Sequence, residues 1–326
     1  RRILRVAVLT SGGDAPGMNA AVRAVARTAF FEGWEVLGIN AGYRGLLEGR
    51  IYPMDRRRLG GIVHRGGTVL GTERAPEMVQ PEGQRRAAGN LEEAGVEALV
   101  VIGGNGSLAG GQKLAELGVK VVGIPASIDN DVWGTDLAIG VDTALNTALE
   151  AIDRIKDTAS SHRRAHVVEV MGRDCGYLAL MSAIAGGAEV AVVPEVELRP
   201  ESLLLFIKKA YEQGKSHFIV VVAEGASFTA EEVHDYVNGV EGAYDSRLTV
   251  MGHIQRGGNP TASDRILASR LGHAAVEALV EGDHGKMMGV RGQSIERVPL
   301  EEVAGKSRPL DPGLYEMAGV FAELPE

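Results

Sequence analysis

The chain has 326 residues, of which 45% are hydrophobic and 24% are charged, a composition typical of a folded water-soluble protein. Its length suggests two lobes, and its net charge of −9 argues against nucleic acid as the main partner. We expect no membrane span, because no apolar run is long enough, and the single Cys175 fits a reducing cytoplasm. The stretch from Arg1 to Thr10 resembles a strand preceded by basic residues rather than a signal peptide.

Short runs rich in Val, Ile and Ala alternate with longer amphipathic stretches along the chain. The predicted strands are Arg5–Thr10, Glu35–Asn40, Ala98–Ile102, Val119–Ile124, Ala165–Val170, Glu189–Val193, His217–Ala223 and Leu248–Met251. The predicted helices are Met18–Phe31, Gln84–Ala94, Leu108–Leu117, Thr143–Thr158, Cys175–Ala185, Pro200–Gln213, Ala230–Val237 and Ser263–Val280. This alternation indicates βαβ units, and hence an α/β protein with largely parallel sheets.

The boundary between the two lobes is expected near Gly140, where Gly-Val-Asp-Thr begins a long predicted helix. A second crossing near Gly252 would return the chain to the first lobe. The predicted domains are therefore 1–140 plus about 253–305, and 141–252 plus about 306–326. No internal repeat and no low-complexity linker interrupts this pattern.

Two glycine-rich turns follow predicted strands, at Thr10–Asn19 and at Gly103–Ser107. Small residues let a ligand approach the backbone, and free amides at a helix start can bind phosphate. The first turn has neither the spacing of a P-loop nor that of a dinucleotide-binding motif. Each alone fits a tight turn equally well, but two of them in one sheet favour a phosphate site.

Residues 125–131, Pro-Ala-Ser-Ile-Asp-Asn-Asp, follow an apolar run that predicts a buried strand. Ligands of open α/β sheets bind at the carboxyl ends of strands. Asp129 and Asp131 are two positions apart, so in an extended segment their side chains point the same way. One carboxylate could accept a proton from a substrate hydroxyl while the other tunes it or binds a metal. The alternative is a turn that is merely rich in capping residues.

Several arginines stand near glycines or near the ends of predicted strands, where a guanidinium can bind phosphate in a bidentate manner. They are Arg65, Arg74, Arg163, Arg164, Arg173 and Arg256, with a further basic set at Arg23, Arg27 and Arg56–Arg58. A solvated surface remains the alternative for each of them. Cys175 is predicted to be a buried structural thiol, and the eight histidines lack metal-ligand spacing.

These motifs together closely resemble the bacterial 6-phosphofructokinase family. The shared strings are TSGGDAPGMNAAVR, HRGGTVLGTER, VVIGGNGS, IDND, VEVMGRDCG, MGHIQRGG and DRILASR. The resemblance implies two α/β/α sandwich domains of phosphofructokinase type, the first binding the nucleotide and the second the sugar phosphate. It implies a cytoplasmic, allosteric enzyme of glycolysis that is usually a homotetramer. Its substrates would be fructose 6-phosphate and ATP with Mg²⁺, and its effector ADP or phosphoenolpyruvate.

The resemblance also assigns roles to individual residues. Asp129 matches the base that accepts the proton of the sugar 1-hydroxyl, Asp131 the second carboxylate, and Ser127 a position where the family usually has Thr. Arg173 matches a contact to the transition state and the sugar. The other matches to sugar-phosphate contacts are Met171, Gly172, Glu224, His253 and Arg256, with Arg164 and Arg247 supplied by a neighbouring subunit. The matches to nucleotide contacts are Gly13, Arg74, Gly104, Asn105, Gly106 and Ser107. The matches to the effector site are Arg23, Arg27, Arg56, Lys156, Gly187, Glu189 and Lys215.

The departures from the family pattern fall on the nucleotide side. Asn105 stands where the family has a metal-serving Asp, so the metal position keeps an oxygen but loses a charge. Ala75, Val79 and Gln84 replace an aromatic residue and two arginines that we would expect around the nucleotide. These departures keep open a second hypothesis, a regulatory paralogue that binds sugar phosphate or effector and turns over little.

A third hypothesis is an enzyme that uses pyrophosphate. In that branch of the family an Asp usually follows the acid of the glycine turn, and a Lys precedes the segment corresponding to Ser127–Asp129. The corresponding positions here are Gly106 and Ala126, which are small enough to admit the inner phosphates of a nucleotide. The sequence therefore disfavours pyrophosphate.

Overall fold

The computed structural model of the chain describes residues 4–322. Its strands are β1 (Arg5–Thr10), β2 (Glu35–Ile39), β3 (Ile51–Pro53), β4 (Ala98–Gly103), β5 (Lys120–Pro125), β6 (Ala165–Val170), β7 (Val190–Val192), β8 (Phe218–Ala223), β9 (Ser246–Val250), β10 (Lys286–Arg291) and β11 (Ser294–Pro299). Its α-helices are α1 (Met18–Phe31), α2 (Gly42–Leu47), α3 (Pro81–Glu93), α4 (Asn105–Glu116), α5 (Val141–His162), α6 (Tyr177–Gly186), α7 (Pro200–Glu212), α8 (Ala230–Asn238), α9 (Ala262–Val280), α10 (Leu300–Val303) and α11 (Pro312–Phe321).

The chain divides into two compact units, each with its own sheet. Unit 1 runs through Thr143 and resumes over Arg256–Arg308, and unit 2 covers Ala144–Gln255 and the chain from Pro309 onward. The three crossings fall at 143, 255 and 308, against 140, 252 and 305 in the ranges that the sequence predicts. Each crossing therefore lies three residues further along the chain than expected.

Unit 1 contains a seven-stranded sheet in the order β11-β10-β5-β4-β1-β2-β3. The pairs from β10 to β2 are parallel, and in this register Val8 lies opposite Val100, which lies opposite Val122. At the two edges of the sheet, β3 pairs with β2 and β11 pairs with β10, both in antiparallel orientation. Because β1, β4 and β5 are adjacent and parallel, their carboxyl ends meet at one edge of the sheet.

Hydrophobic layers cover both faces of this sheet. All six residues of β4 are buried, and such a continuous apolar run is typical of a parallel strand with helices on both sides. On one face Leu46, Leu91 and Leu108, from α2, α3 and α4, belong to the same core as Leu9 and Leu99. On the other face α1 packs against α9, which completes an α/β/α arrangement.

Unit 2 contains a four-stranded parallel sheet in the order β7-β8-β6-β9. Phe218 of β8 is fully buried, together with Leu203 and Ile207 of α7 and Val233 of α8. On other sides α6 packs against β8, and α11 packs against α6. No helix among residues 4–322 is long and apolar enough to cross a membrane.

The predicted α/β class is confirmed, with a strand or helix at each predicted place. Five helices begin at other residues than predicted: α3 at Pro81 instead of Gln84, α4 at Asn105 instead of Leu108, α5 at Val141 instead of Thr143, α6 at Tyr177 instead of Cys175, and α9 at Ala262 instead of Ser263. Strand β9 begins at Ser246 instead of Leu248. The prediction missed β3, β10, β11, α2, α10 and α11. Cys175 is buried, as expected for a structural thiol.

Candidate functional site

Three turns meet at the carboxyl edge of the unit 1 sheet, one after each of β1, β4 and β5. The amide of Ser11 donates to the carbonyl of Ile102 at 3.0 Å, and the amide of Ala126 donates to that of Gly103 at 2.9 Å. These bonds extend the parallel ladder past the strand ends. The two glycine turns and the carboxylate-bearing turn are therefore neighbours, as the sequence predicts for one sheet edge.

Glycines allow the two glycine turns to approach closely. A Cβ at Gly103 would lie 2.6 Å from both the Ser11 carbonyl oxygen and the Ser107 side chain, and one at Gly12 would lie 3.2 Å from Ser107 Oγ. Gly12 also has a φ of 80°, which favours glycine. The first turn of α4, with Gly104 at its N-cap and open space beside Gly106, leaves backbone amides available to an anion.

The turn after β5 carries Ser127, Asp129 and Asp131, which are all half-buried. The Ser127 amide donates to the Ile139 carbonyl at 3.1 Å, and Ser127 Oγ accepts from the Asp129 amide at 3.3 Å. The Ser127 hydroxyl therefore shapes the turn that presents Asp129, a role that the family's Thr can also perform.

Asn130, between the two carboxylates, holds this turn in place. Its side chain is 2% exposed and its φ is 52°, a left-handed conformation that Asn tolerates better than most residues. Its Oδ1 accepts from the Ala138 amide at 2.9 Å, and its Nδ2 donates to the Asp136 carbonyl at 3.2 Å. This role of Asn130 was not predicted from the sequence, although Asn130 stands inside the motif that carries the two carboxylates.

The Asn105 side chain connects the glycine turn to the carboxylate turn. Its Nδ2 donates to the Asp131 carbonyl at 3.2 Å, and that carbonyl also accepts from the Arg308 amide at 2.7 Å. Because only the NH₂ group can donate to a carbonyl, this bond orients the Asn105 amide. The opposite atom, Asn105 Oδ1, is buried and has no hydrogen-bond partner among the described residues.

This orphaned oxygen fits a hard cation, because Mg²⁺ prefers oxygen ligands. Within residues 4–322 no group of three or more His, Cys, Asp or Glu side chains could by itself hold a metal ion. Mg²⁺ is usually bound by one or two protein oxygens together with water and substrate phosphates. The residues present are therefore consistent with a metal that arrives with a nucleotide.

Arg256 lies against the first glycine turn. Its guanidinium occupies the space beside Gly13 so closely that a Cβ there would overlap Nη1. The loop that contains Thr72 contacts the same turn, because Thr72 Oγ1 donates to the Gly12 carbonyl at 2.8 Å. Arg74, two residues later, is exposed. The structure thus brings Gly13, Arg256 and the Arg74 segment to one region of unit 1.

The three other departures lie just beyond Arg74. Val79 is 77% exposed, and Gln84 Nε2 donates to the Met78 carbonyl at 2.9 Å. Gln84 therefore closes the short helix Pro76–Val79 instead of offering a charge to a ligand. Ala75 is half-buried and packs against the unit 1 core.

In unit 2, the predicted sugar contacts Met171, Gly172 and Arg173 follow β6, and Glu224 follows β8. The Met171 amide donates to Gln255 Oε1 at 2.8 Å, and the Glu224 amide donates to the Val170 carbonyl at 2.9 Å. Strands β6 and β8 are adjacent and parallel, so these residues share one sheet edge. His253 is exposed in the short helix Gly252–Arg256, which follows β9.

Arg164 and Arg247 lie toward the other edge of the same sheet. Arg164 precedes β6, and Arg247 pairs in register with His166, the second residue of β6. A strand advances by about 3.3 Å per residue, so Arg164 and Met171 are separated by roughly 20 Å. Arg247, opposite His166, lies roughly 16 Å from Met171 by the same measure, so both arginines lie well away from the predicted sugar contacts that follow β6.

Four of the predicted effector residues belong to unit 2 and are close together. Buried Glu189 accepts from the Ile219 amide at 2.6 Å, and its other oxygen lies 3.6 Å from Lys215 Nζ. Lys156 donates to the Gly186 carbonyl at 2.9 Å, beside Gly187. His217 also lies in this cluster, although the sequence did not predict it. Burial lowers the pKa of His217, and Glu189, 4.0 Å away, opposes this shift.

The other three predicted effector residues belong to unit 1. Arg23 and Arg27 lie on α1, and burial together with the charge of Arg27 lowers the pKa of Arg23. Arg56 stacks over Phe30 at 5.0 Å and donates to the Phe30 carbonyl at 3.1 Å. All three arginines thus belong to or contact one helix, a basic surface suited to an anion.

Two α/β units with polar strand ends and anion-binding turns are typical of an enzyme that handles phosphate. The family model described as phosphofructokinase matches residues 5–279, and the chain belongs to that family. It is 50% identical over 319 residues to the ATP-dependent 6-phosphofructokinase 1 of Clostridium perfringens, covering 97% of this chain and 99% of the relative.

Solved structures give the same result for the fold. A phosphofructokinase from Pichia pastoris in the T-state is 38% identical, with a TM-score of 0.89 over 93% of this chain and 35% of that one. A pyrophosphate-dependent phosphofructokinase from Marinobacter aquaeolei is 23% identical, with a TM-score of 0.85 over 95% of this chain and 86% of that one. The second likeness concerns the fold alone.

Proposed function

We propose that this protein is an ATP-dependent 6-phosphofructokinase, which transfers the γ-phosphoryl group of ATP to the 1-hydroxyl of fructose 6-phosphate in glycolysis. The observation that carries the proposal is the turn Ser127–Asp131, in which Asn130 fixes two carboxylates beside two glycine turns. The bacterial relative of the same name supports it over nearly the whole chain. This similarity does not favour the regulatory alternative, and Gly106 and Ala126 continue to disfavour pyrophosphate.

In this mechanism Asp129 accepts the proton of the sugar 1-hydroxyl as that oxygen attacks the γ-phosphorus. The bond from the γ-phosphorus to the bridging oxygen breaks, and ADP leaves. Gly13, Arg74 and the start of α4, from Gly104 to Ser107, bind the nucleotide phosphates. Asp131 is the second carboxylate, and Arg173 stabilises negative charge on the transferring group.

Mg²⁺ bound to the nucleotide would neutralise phosphate charge during the transfer. On this chain Asn105 Oδ1 is the buried oxygen that is available to it, with Asp129 as a second candidate ligand. The amide supplies no negative charge, so the phosphates and water would provide most of the binding.

The sugar phosphate is proposed to bind Met171, Gly172, Glu224 and His253, which belong to unit 2, and Arg256, which belongs to unit 1. Because most of these residues belong to unit 2, we propose that unit 2 is the sugar-phosphate domain and unit 1 the nucleotide domain. Because Arg164 and Arg247 lie near the opposite end of β6, we assign them to the site of a neighbouring subunit, within a homotetramer. The two basic clusters described above are proposed to bind ADP or phosphoenolpyruvate as effector. A cytoplasmic location fits this role.

Substitution of the proposed base tests the function directly. Asp129→Asn keeps the size of the side chain but removes the proton acceptor, so kcat should fall by roughly 10²- to 10⁴-fold. The KM for fructose 6-phosphate should change little. Asp153→Asn, on an exposed position of α5, is the matched control and should retain the parent kcat. If Asp129→Asn had the same kcat as the parent protein, Asp129 would not be the base.

A further inference from the structure

The guanidinium of Arg44, a residue with no role assigned above, holds the segment that carries Arg74. Arg44 of α2 donates through Nη1 to Glu77 Oε1 at 2.7 Å and through Nη2 to Glu77 Oε2 at 2.8 Å. The same Nη2 donates to the Arg74 carbonyl at 3.3 Å. A single side chain therefore contacts both ends of the stretch 74–77.

Among the described residues, few other hydrogen bonds hold the backbone on either side of Arg74. Residues 71–75 lie outside every helix and strand. On the amino-terminal side Thr72 Oγ1 donates to the Gly12 carbonyl, and on the other side the Met78 amide donates to the Ala75 carbonyl at 3.0 Å. Arg44 thus supplies the side-chain contact that fixes the Arg74 carbonyl itself.

This ion pair differs from an ordinary surface pair, which contributes little to stability. The side chain of Arg44 is 18% exposed and that of Glu77 is 44% exposed, and both terminal guanidinium nitrogens, Nη1 and Nη2, contact the Glu77 carboxylate. Hydrogen bonding from Arg44 holds the pKa of Glu77 below its usual value, and Glu48 and Glu73 add further negative charge near Arg44. Arg44 is therefore neutralised by the protein, which makes it a poor direct ligand for phosphate.

We propose that Arg44 is a positioning residue for nucleotide binding, which acts by fixing the Arg74 backbone beside the glycine turn that contains Gly12. The proposal rests on the proposed function, in which Arg74 contacts the nucleotide phosphates. A lysine cannot replace the guanidinium here, because its ammonium cannot engage two carboxylate oxygens and a carbonyl in the same planar geometry.

The test compares Arg44→Lys with Arg5→Lys in the full-length protein. Arg5, the first residue of β1, makes the same kinds of contact far from the glycine turn that follows this strand. It donates to Glu35 Oε2 at 2.6 Å and to the Ala94 carbonyl at 3.0 Å. The dissociation constant of ATP is measured by calorimetry without sugar, together with KM for each substrate, kcat and Tm. Glu77→Gln and the double variant Arg44→Lys/Glu77→Gln complete a cycle.

We expect Arg44→Lys to weaken ATP binding and to raise the KM for ATP by about tenfold, the factor that corresponds to the loss of one charged hydrogen bond. The KM for fructose 6-phosphate should stay within about twofold of the parent, and Arg5→Lys should bind ATP like the parent. The double variant should be no worse than either single variant, because the two residues act as one unit. Parent-like ATP binding in Arg44→Lys would overturn the proposal, whatever its Tm.

The two proposals fail in different ways. If the parent binds ATP but forms no fructose 1,6-bisphosphate, the proposed function fails, while the calorimetric comparison of Arg44→Lys with Arg5→Lys remains decisive for Arg44. If the parent turns over normally and both lysine variants weaken ATP binding equally, the effect is general destabilisation and the positioning role is wrong.

Discussion

At the scale of single residues, Asn105 combines an observed hydrogen bond with a proposed role as a metal ligand, and the two make opposite demands on the side chain. Its Nδ2 donates to the Asp131 carbonyl, and its Oδ1 is buried without a partner. The family's carboxylate at this position would add a charge near the metal, but it could not donate to that carbonyl. The amide therefore stabilises the contact between the two turns at the cost of weaker electrostatic attraction for Mg²⁺.

Asn105→Asp separates these roles. We expect the Mg²⁺ concentration for half-maximal activity at fixed ATP to fall several-fold, because a carboxylate attracts the cation more strongly. Tm measured without ligand should fall by about 2–4 °C, which corresponds to roughly 1 kcal/mol for one lost hydrogen bond. Asn105→Ala is the control: it loses the same hydrogen bond and the oxygen, so it should require more Mg²⁺. An unchanged Mg²⁺ requirement in both variants would show that Oδ1 is not a ligand.

The sequence predicted many candidate site residues but not the residues that hold them. The IDND string gave Asp129 and Asp131 because their chemistry is visible in the residue types. Arg44 is absent from that prediction because its partner Glu77 is 33 residues away, and no local pattern encodes such a pairing. Asn130 was visible, but its role depends on a left-handed backbone and on partners six and eight residues later.

At the scale of elements, the period and composition of the buried parallel strands were enough to locate them. The hairpin β10–β11 was missed although Gly292, with a φ of 58°, stands in its two-residue turn, a recognisable hairpin signal. Helix α11 was missed although Asp311 and Pro312 give a standard N-cap and first residue. Strand β3 has three residues, two of them exposed, so its position depends on its pairing with β2 and not on its own pattern.

The pairing of β6 with β9 gives a pH prediction. His166 Nε2 lies 2.8 Å from Thr249 Oγ1, and burial, with smaller effects of Arg247 and His234, lowers the pKa of His166 below 6.5. As the pH falls through 6.5, the unfolded chain takes up a proton before the folded chain does. The contribution of His166 to stability is therefore full above pH 6.5 and decreases below it.

His166→Gln should thus make Tm less dependent on pH between 7.5 and 5.5, because the uncharged side chain no longer titrates beside Arg247. Scanning calorimetry of both proteins across this range measures the difference. His273→Gln is the matched control, since His273 is 58% exposed on α9 and should leave the pH dependence of Tm nearly unchanged. Identical pH profiles for parent and His166→Gln would contradict the prediction.

At the scale of the whole molecule, the chain leaves or re-enters unit 1 at three points, each close to a turn of the candidate site. Near the first crossing, Asp264 accepts from the amides of Gly140 and Thr143, both at 2.9 Å, and Ile139 bridges to Ala126. The second follows Gln255, next to the Arg256 that covers Gly13. The third follows Arg308, whose amide donates to the Asp131 carbonyl. Within unit 1, the segments at the three crossings therefore contact the turns that carry the candidate site residues.

The proposal that subunits share functional residues leads to the last prediction. If Arg247 serves the site of a neighbouring subunit while Asp129 serves its own, then Asp129→Asn and Arg247→Ala should each be nearly inactive alone. Unfolding and refolding an equal mixture should restore activity, because some sites combine an intact Asp129 from one variant with an intact Arg247 from the other. Random assembly gives about a quarter of the parent activity, since each of the two contributions is intact in half of the subunits.

Mixing Asp129→Asn with Asp129→Asn/Arg247→Ala is the control, and it should stay inactive because neither chain supplies the base. Sedimentation of each mixture reports whether the oligomer has reassembled. If the refolded mixture has fully reassembled but is no more active than each variant alone, Arg247 and Asp129 do not complete one site between two subunits. Arg247 would then be an exposed residue of the edge strand β9, and the proposal that subunits share sites would fail.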